Sequence, residues 1–198
     1  IHKNSNYKKE SWEFDVTAKR IISWLSNHHL TYNESNDEYK SIFNHMIQKQ
    51  TNHLINEIKN SKSLEDKIIG CSAIILVGLS YKIEKNYLNF GLNFLKKILK
   101  HSIDNQGFSR SRNIRQQIFY LKYFILIREW FKESLFEVPE HIDETIYYLG
   151  QAYSYFWQNT QVNLLFNGNN NSNNQDFDNY LKRLGYKFKN ENKDYCGY

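Results

Sequence analysis

The chain has 198 residues, a net charge of +5, 40% hydrophobic and 16% aromatic residues, and a pI near 9.0. That apolar and aromatic content excludes a disordered chain. Lysines and arginines are dispersed rather than blocked, and no zinc-finger, RNP-like or basic-zipper pattern accompanies them, which argues against a nucleic-acid partner. One proline and eight glycines favour long uninterrupted helices.

Residues 1–11 are polar and read as an arm or linker. From Asp15 to His28, Val16, Ile21, Ile22, Trp24 and Leu25 fall at helical spacing. Ser35-Asn36-Asp37-Glu38 reads as a capping box opening a helix with the stripe Tyr39, Ile42, Phe43, Met46, Ile47, Leu54 and Ile58. Ser63 starts the next helix, to about Tyr81. It is apolar nearly all round, with Gly70, Ala73 and Gly78 admitting close neighbours, so a central position is expected.

Tyr87 to Ser102 forms another helix, Asn113 to Phe131 follows, and Pro139 opens one running to Trp157. Residues 161–168 alternate like a short irregular or β-like segment, Asn167-Gly168 begins an Asn-rich loop, and Phe177 to Leu184 is a last short helix. The expected organisation is therefore an arm (1–11), a helical domain (12–158) and a loop-rich connector (159–198). Short joins between helices give antiparallel hairpins, which build a bundle, a solenoid or a closed α/α toroid.

Chemistry-bearing residues are sparse. Cys71 lies in an apolar run and reads as a buried small hydrophobe, and with Cys196 it forms neither a disulfide framework nor a metal set. His28 and His29 close a helix, His45 and His53 share one side of the next, and His101 and His141 sit near helix ends. No carboxylate is spaced to complete a metal site with His45 and His53, and neither metal nor cofactor is expected. P-loop, dinucleotide and nucleophile-elbow motifs are missing, and no apolar stretch is long enough to span a bilayer.

The exception is Gln106-Gly107-Phe108-Ser109-Arg110-Ser111-Arg112-Asn113, with Arg115 beyond it. A glycine break feeding a helix start brings guanidinium forks to backbone N–H groups, a combination suited to carboxylate or sulfate.

Four segments in order carry a family resemblance: Ala18-Lys19-Arg20-Ile21-Ile22-Ser23-Trp24-Leu25, Gly107-Phe108-Ser109-Arg110-Ser111-Arg112-Asn113, Leu165-Phe166-Asn167-Gly168, and Cys196-Gly197-Tyr198. Together they resemble the helical N-terminal region of bacterial heparinase II/III-like proteins. The resemblance implies part of an α/α toroid followed by a β-rich C-terminal domain, so the chain reads as a fragment. It also implies a polysaccharide lyase acting on a uronate-containing acidic polysaccharide. In such β-elimination an Arg, Asn or His neutralises the uronate carboxylate, and a Tyr or His removes the C5 proton.

Carried onto this chain, the resemblance makes Arg112 and Asn113 the substrate-binding residues, with Ser111 and Arg110 as auxiliaries and Asn167 lining the cleft. It assigns no catalytic residue. The family's proline is Ile114 here, and positions where lyases carry a toroid tyrosine are Ile114, Arg115, Gln116 and Gln117. Asn52-His53 has the residue types of the toroid Asn-His element but falls on the preceding helix. The compartment stays open between periplasm and cytoplasm. The competing expectation is a non-catalytic helical scaffold that binds protein or peptide.

Overall fold

The computed structural model describes residues 7, 10–81, 85–155 and 175–188. Among these the chain is all-α, with helices α1 (Phe14–Ser26), α2 (Asp37–Glu57), α3 (Leu64–Ser80), α4 (Lys85–Ser102), α5 (Ile114–Glu133), α6 (Glu140–Tyr153) and α7 (Gln175–Arg183). A 3₁₀ turn, His28–Leu30, follows α1. The expected β-like segment at 161–168, Asn167 and the terminal Cys196-Gly197-Tyr198 lie outside the described residues. The helices distribute over two compact units, Ile1–Ile98 with Glu129–Glu137, and Leu99–Arg128 with Val138–Tyr198.

In the first unit α1 packs on α2 and α3, and α2 packs on α3. The cap of α2 is one residue later than its sequence suggests. Asn36 holds the extended backbone that capping requires, and its side chain accepts the Tyr39 N–H at 2.8 Å. Ser35 instead donates its hydroxyl to the Tyr32 carbonyl at 2.7 Å, and Glu38 becomes the second helical residue, so no reciprocal capping box forms. Ser63 caps α3 by accepting the Asp66 N–H at 3.2 Å.

Every residue of α3 from Ile68 to Leu79 is buried, as an all-round apolar helix must be; each large aliphatic side chain removed from water contributes about 1.5–3 kcal/mol. Its partner α4 comes close because glycines line the contact. A Cβ on Gly78 would stand 2.5 Å from the Leu88 backbone nitrogen, and one on Gly91 would stand 2.7 Å from Ile75 Cγ1 and 3.3 Å from the Cys71 carbonyl. Position rises along α3 as it falls along α4, which defines an antiparallel hairpin.

The chain entering α1 is tied down at its described end. Arg20 donates to the Ser11 carbonyl at 2.7 Å and to Gln50 Oε1 at 3.0 Å, and His53 Nε2 lies 2.9 Å from the Trp12 carbonyl.

In the second unit Phe108, Ile114 and Ala152 form a buried cluster with Ile118 packed against it. Arg128 bonds Asp143 on α6 and donates to the Tyr186 hydroxyl at 3.2 Å. The buried Tyr153 hydroxyl donates to Asp178 at 2.6 Å, fastening α7 to α6. Helix α6 is α-helical to Tyr153 and takes a π-type turn at Ser154 and Tyr155.

Candidate functional site: the arginine turn

The arginine-rich stretch forms a small hairpin followed by a helix cap. Asp104 N–H donates to the Phe108 carbonyl at 2.9 Å and Arg110 N–H to the Ser102 carbonyl at 2.8 Å. These bonds flank an isolated antiparallel bridge between Ile103 and Ser109. At the tip Gly107 takes φ +84°, and a Cβ there would overlap the Tyr148 carbonyl. Only glycine meets both demands, left-handed backbone and no side chain.

Asp104 organises this tip. Its Oδ1 accepts the N–H groups of Gln106 and Phe108, both at 3.0 Å. Its Oδ2 receives Arg112 Nη1 at 2.8 Å. Arg112 itself has φ +56°, a left-handed backbone costing a non-glycine residue about 1–2 kcal/mol, and its guanidinium lies 6.0 Å from the Phe108 ring centre.

Behind the tip, the buried Gln117 amide bridges backbone groups. Oε1 accepts the Ser109 N–H at 2.7 Å, and Nε2 donates to the Gly107 carbonyl at 2.7 Å.

The site residues expected from sequence therefore separate by role. Asn113 caps α5, its Oδ1 accepting the Gln116 N–H at 3.1 Å. The Ser111 hydroxyl donates to Gln116 Oε1 at 2.6 Å and accepts the Asn113 N–H at 3.2 Å. Arg112 is paired with Asp104. Arg110 and Arg115 are exposed and make no ion pair among the described residues. The N–H groups of Ile114 and Arg115, at the open first turn of α5, have no acceptor among the described residues. The turn thus carries two exposed guanidiniums without an ion pair and, close by in sequence, two backbone donors without an acceptor among the described residues, group types suited to an anion.

An open cleft of about 390 Å³ adjoins Asp104; its lining includes Lys100, Asn105, Glu144, Thr145 and Tyr148. Asp104 is balanced by Arg112, and Glu144 balances Lys100, so this cleft offers a carboxylate no net positive charge. Any carboxylate would have to meet the exposed Arg110 and Arg115 directly.

The histidines are used locally. His28 Nδ1 is 3.0 Å from the Leu25 carbonyl, and His141 is the second residue of α6, where a cationic ring would oppose the helix dipole. Asn52 accepts the Tyr87 hydroxyl at 2.8 Å, and the His53 ring packs edge-on to Trp12 at 5.2 Å. Cys71 is fully buried, and burial pushes its thiol well above the usual range, so it is unreactive. Among the described residues no group of three or more His, Cys, Asp or Glu side chains converges to hold a metal ion, and no helix is long and apolar enough to cross a membrane. Set against protein families, curated proteins and solved structures, the chain has no significant match.

Proposed function

We propose that this chain is the helical part of a heparinase II/III-like polysaccharide lyase, an α/α toroid segment that grips an acidic polysaccharide through the arginine turn. Its role in β-elimination is to neutralise the uronate carboxylate, with the proton-abstracting base supplied in concert with a β-rich C-terminal domain. The observation that carries the reading is the pair Arg110 and Arg115, exposed and without an ion pair among the described residues, on either side of the α5 start in the sequence. The ordered set of four sequence segments supports it independently.

The test is turnover by the protein joined to its β-rich domain. Incubation with a panel of uronate polymers is expected to raise ultraviolet absorbance from unsaturated products, and Arg110→Ala with Arg115→Ala is expected to abolish the rise. No product from any polymer would overturn the lyase assignment.

A second reading, a non-catalytic scaffold for protein or peptide, draws on the hydrogen bonds that Ser111, Arg112 and Asn113 spend inside the turn. It predicts that both exposed arginines are dispensable and that no uronate oligosaccharide binds.

A further inference from the structure

A separate feature lies in the first unit, where two open pockets share the Tyr81 ring. One, of about 250 Å³, is lined by Asn44, His45, Ile47, Gln48, Val77, Tyr81 and Tyr87. The other, of about 260 Å³, adds Leu25, His28, Tyr32, Phe43 and Ser80. A chain of polar groups runs between them. The Tyr81 hydroxyl donates to Asn44 Oδ1 at 2.7 Å, and Asn44 Nδ2 donates to the Tyr32 hydroxyl at 3.1 Å. That leaves the second Asn44 N–H, the Tyr32 hydroxyl proton and the whole Gln48 amide without a partner among the described residues.

We propose that these pockets form one binding site for a neutral saccharide, with a sugar unit on either side of Tyr81. The lining chemistry selects such a ligand. No carboxylate, ammonium or guanidinium lines either pocket among the described residues, the ionisable nitrogen side chains there being His45 and His28, so a charged ligand would lose water without meeting a permanent counter-charge. A wholly apolar ligand would cover the Asn44, Tyr32 and Gln48 groups without satisfying them, which opposes its binding. A pyranose avoids both costs: its C–H face lies on phenol rings while its hydroxyl edge meets amide and hydroxyl groups. Burial holds the Tyr81 phenol protonated far into alkali, which keeps it a neutral hydrogen-bonding ring. Lys40 stands 5.8 Å from the Tyr32 ring centre but lines neither pocket.

The site is independent of the arginine turn, and its test uses different ligands. Calorimetry of the chain with cellohexaose, mannohexaose, laminarihexaose and maltohexaose should detect binding of at least one. Gln48→Ala removes an exposed amide with no internal bond, and is expected to weaken that binding about threefold to tenfold with an unchanged melting temperature. Tyr81→Phe keeps the ring, loses the hydroxyl, and should weaken binding to a similar degree. The proposal is overturned if none of the four sugars binds, if both variants bind as tightly as the parent, or if a uronate oligosaccharide competes equally for this site.

Discussion

Asp104 holds Arg112. One carboxylate oxygen takes the guanidinium at 2.8 Å, and the other takes the N–H groups of Gln106 and Phe108 at 3.0 Å each. The same side chain thereby shapes the tip of the turn and neutralises one of its three arginines.

The two duties separate by substitution. Asp104→Ala removes an acceptor shared by two N–H groups and is expected to cost about 1–3 kcal/mol. Asp104→Asn retains an oxygen for those groups and loses only a partly exposed ion pair, for about 1 kcal/mol or less. Urea denaturation checks the order. If the turn binds uronate, Asp104→Asn should also bind it more tightly, because a carboxylate that competes with the ligand for Arg112 is removed. An unchanged affinity would show that Arg112 does not reach the ligand.

Gly107 supports a second prediction. Its φ of +84°, and the Tyr148 carbonyl that a Cβ would overlap, leave alanine no unstrained conformation. Gly107→Ala should destabilise the chain by about 2–4 kcal/mol, measured by the same urea titration. A smaller loss, under about 1 kcal/mol, would mean that the turn relaxes away from α6.

Tyr153 and Asp178 give a pH signature. Burial, reinforced by the hydrogen bond to Asp178, raises the Tyr153 phenol above its ordinary value of 10.0. The folded chain then keeps a proton that the unfolded chain releases, so the stabilisation is complete below pH 10 and lost as pH rises beyond it. Tyr153→Phe should be less stable than the parent at neutral pH, with the gap narrowing in alkali. Thermal melts from pH 8 to 11 would measure this, and a gap constant across that range would contradict it.

Helix existence and type were legible because helical spacing of Ile, Leu, Phe and Tyr dominates this chain, and the continuous burial of α3 followed from its all-round apolar run. The α2 cap was harder to place, since Ser35 and Asn36 are both good caps and only the backbone conformation decides between them. In the arginine turn the glycine break and the helix start were both readable. The commitment of Arg112 to Asp104 was not, because it depends on a tertiary ion pair eight residues back. A signal for it existed: Asp104-Asn105-Gln106-Gly107 has the aspartate and glycine that a tight turn requires. Gln117, which bridges two backbone groups of the tip, carried no local mark at all.

The proposed grip of Arg110 and Arg115 on a carboxylate at the start of α5 is tested most directly by calorimetry. The chain would be titrated with a uronate hexasaccharide at low and at moderate salt. Binding is expected that weakens as salt screens the guanidiniums and disappears in the Arg110→Ala, Arg115→Ala double variant. No binding, or equal affinity in the double variant, would contradict it.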